Sequence, residues 1–170
     1  MDESKNKQTG LTLVEILISL IVLSVGLLGI AGMQATGLRN NHAAYSKMQA
    51  TNLAMDMADR IRSNPAGAAS YAVNPLDAAN QPAADPGCIA TAAGCSPSNL
   101  AQTDLYQWSR SFIANNPVIP DGSASIAVNN DIVTITLFWR EPNFGNIDLQ
   151  NCGDAALADD MACFQISFAL

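Results

Sequence analysis

An apolar run from Leu11 to Met33 limits what the chain can fold into more than any other feature. Leu, Ile and Val dominate this run, and Glu15 is its only charged residue. About 20 apolar residues at a rise of ~1.5 Å each span a bilayer core, so the run is long enough to cross a membrane as a helix. A carboxylate in such a helix costs on the order of 2.5–3.5 kcal/mol, which makes Glu15 a candidate functional residue.

The polar segment 1–10 before this run differs from a secretory signal peptide. In a signal peptide the cleavage site follows the apolar core, which is then removed. Here the small residue Gly10 stands before the apolar core, so cleavage after Gly10 would keep the helix and make Leu11 the first residue. Lys5 and Lys7 lie on the side that the positive-inside rule keeps in the cytoplasm.

This arrangement resembles the class III signal of type IV pilins and pseudopilins, and Gly10, Thr12, Leu13 and Glu15 fit that pattern as they stand. The resemblance implies that a prepilin peptidase cuts after Gly10 and methylates the new amino group of Leu11. The family usually has Phe at this position, so Leu11 is a departure. The resemblance also implies that Glu15, in one assembly segment with Thr12 and Leu13, pairs with the α-amino group of a neighbouring subunit. The alternative is that protonation neutralises Glu15 and that it has no partner.

A second helical pattern runs from Gln34 to Asn64, and Pro65 ends it because the residue before a proline is pushed out of the helical region. Its apolar residues recur at helical spacing and predict one buried face. The clear members of this face are Ala50, Leu53, Ala54, Met57, Ala58 and Ile61, and Leu38, Tyr45 and Met48 are predicted to continue it.

The end of this helix carries a more specific pattern, in which Asp56, Asp59, Arg60, Arg62 and Asn64 follow a run of small and apolar residues. Residues 41–64 resemble the PilV family of minor pilins, the type IV pilus modification proteins. The resemblance implies a subunit of the inner membrane that is incorporated into the surface pilus, where it primes assembly or joins the tip complex, with adhesion and twitching motility as consequences. The implied partners are the prepilin peptidase, other minor pilins, the major pilin, the inner-membrane assembly machinery and a tip adhesin.

The rest of the chain predicts a small α+β head. Residues 65–97 have no period and predict a loop, and Ser96 followed by Pro97 predicts the start of a short helix that continues to Ile113. Strands are predicted over 125–128, 132–139 and 164–170, with a type I′ turn at Asn129-Asn130. Trp108, in a segment that also resembles minor pilins, is predicted to lie in the core.

The predicted fold is therefore the type IV pilin-like α+β fold, a long N-terminal helix packed on an antiparallel sheet of three or four strands with disulfide-closed loops. The predicted organisation is a leader (1–10), a transmembrane half-helix (11–33), an amphipathic half-helix (34–64) and a periplasmic head (65–170).

All four cysteines lie in the predicted head, and an even number in an exported domain predicts two disulfides. Three pairings are possible, and the simplest joins sequence neighbours, Cys88 with Cys95 and Cys152 with Cys163. The resemblance identifies the second of these loops with the C-terminal disulfide loop of pilins.

The charge and motifs argue against several other classes of protein. The formal net charge is −7, and Arg110 and Arg140 are the only basic residues after Asn64, so direct binding of nucleic acid through the head is not predicted. The chain has one histidine, His42, and no phosphate-binding loop or nucleophile motif, so neither an enzyme nor a cofactor is predicted. Asp154, Asp159 and Asp160 lack the spacing of a calcium loop and are interpreted as a solvated acidic loop, so no metal site is predicted.

Two alternatives remain at the level of the sequence. A minor pseudopilin of a type II secretion system would have the same fold and serve protein export. A soluble periplasmic binding protein with a long signal would lose the whole run before Gln34 and would not need Glu15.

Overall fold

The chain folds as an α+β protein in which one long helix precedes a small antiparallel sheet. A computed structural model describes residues 12–113, 117–141, 152 and 160–170. Two compact units are formed, one up to His42 and one from Ala43 to Leu170, which we call the head unit. The elements in chain order are α1 (Leu13–Ser63), a 3₁₀ turn (Pro65–Tyr71), β1 (Val73–Leu76), a second 3₁₀ turn (Cys88–Ala90), α2 (Pro97–Ile113), β2 (Ser123–Asn129), β3 (Ile132–Arg140) and β4 (Met161–Ala169).

Helix α1 ends at Ser63, as the proline at position 65 predicts, and Asn64 leaves the helical region with φ −132° and ψ 59°. The predicted apolar face is confirmed in the head unit, where Leu53 is half-buried against the core and the other members are fully buried. Those members are Ala50, Ala54, Met57, Ala58 and Ile61, with Ser46 buried beside them. Three alanines on this face give a helix surface that other elements can approach closely.

The predicted extension of this face towards the N-terminus is wrong. Leu38 is 71% exposed, Tyr45 is 52% exposed and Met48 is 53% exposed. At 3.6 residues per turn, Tyr45 and Met48 lie more than a quarter of a turn away from Ala50 and Ala54. They therefore belong to the opposite side of the helix, which is exposed in the described part of the head unit.

The sheet has four antiparallel strands in the order β1-β2-β3-β4, and the predicted α+β fold class is confirmed. Strand β3 is paired along its whole length, from Ile132 opposite Ala169 to Arg140 opposite Met161 on one side and with β2 on the other. Its alternation is as predicted, because one set of side chains is fully buried: Val133, Ile135, Leu137 and Trp139.

The turn between β2 and β3 lies one residue later than predicted. Asn129 pairs with Ile132, so the two turn residues are Asn130 and Asp131. Of these two, Asn130 alone has a positive φ, at 54°. A type I′ turn needs a positive φ at both central residues, so the predicted turn type is also wrong.

Strand β1 lies inside the segment that the sequence predicts to be a loop. It has four residues, and one of them is Pro75. It pairs with β2 through Val73 opposite Ile126 and Leu76 opposite Ala124, with an irregularity between the two pairs. A proline in a sequence run indicates an edge strand or a loop rather than a central strand. A strand of four residues that contains a proline therefore gives almost no sequence signal. The buried side chain of Leu76 holds it to the core.

Helix α2 begins as predicted. The Ser96 hydroxyl accepts a hydrogen bond from the Asn99 main-chain N–H at 3.2 Å, which is the bond that an N-cap side chain makes. Trp108 is 1% exposed, which confirms its place in the core. Its indole N–H donates to the main-chain carbonyl of Leu53 in α1 at 2.9 Å, and its ring lies edge-on to Phe112 at 4.8 Å between centroids.

Two disulfides close loops of the head unit, Cys88–Cys95 and Cys152–Cys163, so the structure has the neighbour pairing. The first closes a loop just before α2, and the second attaches residue 152 to β4. Of the acidic loop residues, Asp154 and Asp159 lie outside the described residues. Asp160 forms an ion pair with the Arg140 guanidinium at 3.2 Å.

Candidate functional site: the N-terminal helix

The first turn of α1 is organised by Thr12. Its carbonyl accepts hydrogen bonds from the main-chain N–H groups of Glu15 at 3.0 Å and Ile16 at 3.3 Å. Its hydroxyl accepts a further bond from the Glu15 N–H at 3.4 Å. Thr12 is therefore the N-cap of α1, and Glu15 is the third residue of the helix.

This arrangement is the half of a capping box in which the N-cap hydroxyl accepts from the N–H of the third helical residue, and it was not predicted from the sequence. A Thr followed three residues later by Glu, directly before an apolar run, is the sequence signature of that motif. Glu15 also stands where the partial positive charge of a helix N-terminus stabilises a carboxylate. The capping bond uses the main-chain N–H of Glu15 and not its carboxylate, whereas the helix dipole does favour a carboxylate at this position. A test of the role of Glu15 in assembly must therefore separate stabilisation of the helix N-terminus from charge pairing.

The predicted processing residues Gly10 and Leu11 lie outside the described residues, so cleavage and methylation stay predictions. Within the described part of the chain, Glu15 is exposed and forms no ion pair. The large apolar side chains that follow it are exposed as well, from Leu13 to Met33. This stretch buries none of its apolar side chains within the chain.

Hydroxyl groups in this stretch are satisfied by the helix itself. Ser19 donates to the carbonyl of Glu15 at 2.8 Å, Ser24 to the carbonyl of Ile21 at 2.8 Å, and Thr36 to that of Gly32 at 3.2 Å. Such bonds satisfy the hydroxyl groups without water, and a helix in hydrocarbon requires this because no water is available there. The helix also contains an 18-residue window of mean hydropathy 2.6, so it is long and apolar enough to cross a membrane, a test that a signal sequence would also pass.

The C-terminal end of α1 is held by a network of polar side chains that we call the helix-end network: Asp56, Arg60, Asn64, Tyr71 and Asp104. Arg60 donates to Asp56 at 3.1 Å, the helical pair that the sequence shows, and to Asp104 of α2 at 3.0 Å. The side chain of Asp104 is 11% exposed, whereas that of Asp56 is 50% exposed. The more buried of the two ion pairs therefore joins α1 to α2.

Tyr71 and Asn64 complete this network. The Tyr71 hydroxyl donates to the second oxygen of Asp104 at 2.5 Å, and the Asn64 amide donates to the Tyr71 oxygen at 3.2 Å and to the carbonyl of Pro97 at 2.8 Å. Both Asp104 oxygens thus accept from a buried or half-buried donor. For Arg60, burial opposes the charge, but the hydrogen bond from Arg60 to Asp104 and the nearby charge of Asp56 outweigh it and raise the pKa. The network connects α1, the first 3₁₀ turn and α2.

Burial raises the pKa of Tyr71 well above its ordinary value of 10.0, and the hydrogen bond to Asp104 raises it further. The head unit therefore favours the protonated phenol, and stability that depends on it is lost as the pH rises above about 10, where the unfolded chain releases the proton first. At neutral pH we expect Tyr71→Phe to cost about 1–3 kcal/mol, because a buried acceptor loses its donor. Above pH 10 the gap between wild type and variant should narrow.

Urea unfolding of the full chain in detergent from pH 7 to pH 11 measures this effect. Tyr106→Phe is the matched control, since Tyr106 is only half-buried and its hydroxyl accepts a hydrogen bond from Arg110 of its own helix at 3.4 Å. A constant gap between wild type and the Tyr71 variant across this pH range would contradict the expected titration.

These features define a class of protein. A long apolar helix with a glutamate in its capped first turn precedes a small antiparallel sheet, and two loops are closed by disulfides. This combination is the type IV pilin fold. Two family models match the chain. The prokaryotic N-terminal methylation motif matches residues 5–31, and the Type IV pilin Tt1218 family (Tt1218-like) matches residues 32–106. Together the two matches support the placement of the chain in the type IV pilin family. Comparisons with curated proteins and with solved structures gave no match.

Type IV pilins are structural proteins rather than enzymes. The methylation motif implies processing by a prepilin peptidase and assembly with other pilins, and with the apolar helix it suggests a membrane anchor.

Proposed function

We propose that the protein is a minor pilin of the type IV pilus, of the PilV type, which primes pilus assembly or joins the complex at the pilus tip. It is anchored in the inner membrane with its head in the periplasm. It is cut after Gly10, methylated at Leu11 and then incorporated into the surface pilus. Its proposed partners are the prepilin peptidase, other minor pilins, the major pilin, the inner-membrane assembly machinery and a tip adhesin, and it supports adhesion and twitching motility.

One observation carries the finer part of this proposal. The two segments that resemble minor pilins of the PilV type, the end of α1 and the middle of α2, bind each other directly. Arg60 pairs with Asp104 at 3.0 Å, and Trp108 donates to Leu53 at 2.9 Å. The two segments are distant in sequence but pack against each other. Their contact supports the view that both resemblances come from the same family of minor pilins.

A deletion strain tests the minor-pilin role against that of a type II pseudopilin. We expect loss of the protein to reduce surface pili and twitching motility and to leave type II secretion unchanged. Expression of the wild-type gene in the same strain is the control. Normal piliation with blocked secretion would overturn the pilus assignment in favour of the pseudopilin.

Processing is tested by the intact mass and N-terminal sequence of the protein from cells with and without prepilin peptidase. We expect a chain that begins at methylated Leu11 only when the peptidase is present. A mature chain that begins near Gln34 and is indifferent to the peptidase would instead support a soluble periplasmic protein.

Glu15 is proposed to pair with the α-amino group of a neighbouring subunit, so that the charge of each is compensated only after assembly. We expect Glu15→Ala and Glu15→Gln both to reduce incorporation into pili by about tenfold or more, since a loss of only ~1.4 kcal/mol already gives that factor. The measurement is the amount of each variant in sheared pili relative to its amount in the membrane.

Two variants separate charge pairing from capping. Glutamine at the third helical position still serves a capping box, so Glu15→Gln removes the charge alone. Thr12→Ala removes the capping hydroxyl at a cost of about 1 kcal/mol and keeps the carboxylate. Normal incorporation of Glu15→Gln, with poor incorporation of Thr12→Ala, would show that capping rather than charge pairing explains Glu15.

A further inference from the structure

The two edges of the sheet differ in how they are protected. Strand β1 has four residues, includes Pro75 and pairs irregularly with β2. Strand β4, at the other edge, has nine residues and contains neither proline nor a charged side chain. Short strands, prolines and charges are the usual means by which proteins keep a sheet edge from pairing with another chain. These means protect β1 and are missing from β4.

The hydrogen bonds at both ends of β4 show which of its main-chain groups point outwards. The Leu170 N–H donates to the Asp131 carbonyl at 2.9 Å, and the Glu141 N–H donates to the Asp160 carbonyl at 2.7 Å. In an antiparallel ladder the hydrogen-bonded pairs alternate with pairs whose N–H and C=O groups point away from the partner strand. The even-numbered residues of β4 therefore bond to β3, and the odd-numbered residues direct their N–H and C=O groups to the outer edge.

The open part of this edge runs from Gln165 to Ala169. Gln165, Ser167 and Ala169 are exposed, whereas Cys163 is buried and carries the disulfide to Cys152. No strand among the described residues pairs with the outer side of β4. These three outward-facing residues, at alternate positions along the strand, offer three N–H donors and three C=O acceptors in strand geometry.

The core side of β4 is also incompletely covered. Phe164, Ile166 and Phe168 pack on the core but are only half-buried, although their cross-strand partners on β3 are fully buried. The Arg62 guanidinium already lies 4.4 Å from the centre of the Phe168 ring. A strand added beside β4 would place side chains next to Phe164 and Ile166 and pair the three free donors and acceptors. The edge thus combines a main-chain ladder with apolar side chains at alternate positions, which is the combination that strand addition uses.

We propose that the outer edge of β4 from Gln165 to Ala169 is an interaction surface that receives an extended, uncharged strand of a different protein. The charge of the head unit favours a different protein over a second copy, since its five basic residues stand against twelve acidic ones. Two copies would bring this negative charge together. The surface does not depend on the assignment to the pilus or to a secretion system.

The test uses the full-length protein in detergent and a capped seven-residue peptide of alternating Thr and Val. We expect the peptide to slow hydrogen exchange of the Gln165, Ser167 and Ala169 amides by tenfold or more, and to leave the amides that bond to β3 unchanged. The same peptide, N-methylated at every residue, should protect none of them, because neither of its edges can then complete a ladder. Equal protection by both peptides, or none at saturating peptide, would overturn the proposal.

A pair of variants tests the main-chain character of the surface. The Gln165 N–H points outwards, so Gln165→Pro removes an edge donor without breaking a bond to β3. Gln165→Ala removes the side chain and keeps the donor. We expect the peptide to bind the proline variant at least tenfold more weakly than the alanine variant, with both variants unfolding within a few degrees of wild type. Equal binding by the two variants would overturn main-chain pairing.

A photo-crosslinking residue in place of Gln165 identifies the occupant in cells. We expect adducts with a different protein that are lost when Ser167 is also replaced by proline. Adducts made mainly of two copies of this chain would overturn the choice of occupant.

Discussion

Asp104→Ala should destabilise the head unit by about 3 kcal/mol, because two hydrogen bonds to a nearly buried carboxylate are lost and a buried phenol is left without its acceptor. Asp104 accepts from Arg60 at 3.0 Å with one oxygen and from Tyr71 at 2.5 Å with the other. The alanine leaves the buried Tyr71 phenol without its acceptor and takes from the Arg60 guanidinium the more buried of its two carboxylates, and no other residue of the helix-end network can replace both bonds. Urea unfolding of the full chain at neutral pH measures the loss.

Asp56→Ala is the matched control, because it removes the other carboxylate from the same guanidinium. That carboxylate is 50% exposed and pairs within one helix, so we expect a loss below about 1 kcal/mol. Equal losses for the two variants would contradict the view that burial gives Asp104 its weight. They would mean that Arg60 moves into solvent when either partner is removed.

Gly67→Ala should cost the head unit about 3 kcal/mol, because overpacking and a lost hydrogen bond add at this position. A Cβ atom at Gly67 would lie 2.5 Å from the Asn64 amide nitrogen and 2.5 Å from the carbonyl oxygen of Pro97. The first atom belongs to the helix-end network, and the second belongs to the first residue of α2. The clash can be relieved only if α2 shifts or the bond between Asn64 and Pro97 breaks.

Thermal unfolding measures this effect, and Ala66→Ser is the control. Ala66 is the exposed neighbour of Gly67 in the same 3₁₀ turn, so its substitution should stay within about 0.5 kcal/mol. A Gly67→Ala protein as stable as wild type would show that the 3₁₀ turn and the start of α2 separate at little cost.

The helices were the most predictable part of the fold, because their signals are local. Pro65 fixes the end of α1, Ser96 caps α2, and the spacing from Ala50 to Ile61 defines the buried face. Periodicity became misleading where the spacing loosened, at Leu38, Tyr45 and Met48. A single apolar residue per turn does not identify a buried face. Whether such a residue is buried depends on which side of the helix it lies on.

Contacts between distant residues could not be predicted from spacing. The pair of Arg60 with Asp56 follows from a separation of four residues, but its pair with Asp104 spans 44 residues. Likewise, nothing near Tyr71 predicts a bond to a carboxylate 33 residues later. The β2–β3 turn was misplaced by one residue because Asn129 and Asn130 both suit turns, and the register of the strands decides between them. The capping box at Thr12 and Glu15 was predictable, because its signature is local and complete.

The placement of the two tryptophans gives the head unit two separate optical reporters. Trp108 donates to a carbonyl of α1 and lies among the helices, whereas Trp139 lies on the central strand and donates to Glu141 at 3.1 Å. Both indoles are buried, so each should emit at short wavelength in the folded state and shift to the red on unfolding. Trp108→Phe and Trp139→Phe would then leave one reporter each, and coincident transitions would show that the helical layer and the sheet unfold as a single cooperative unit.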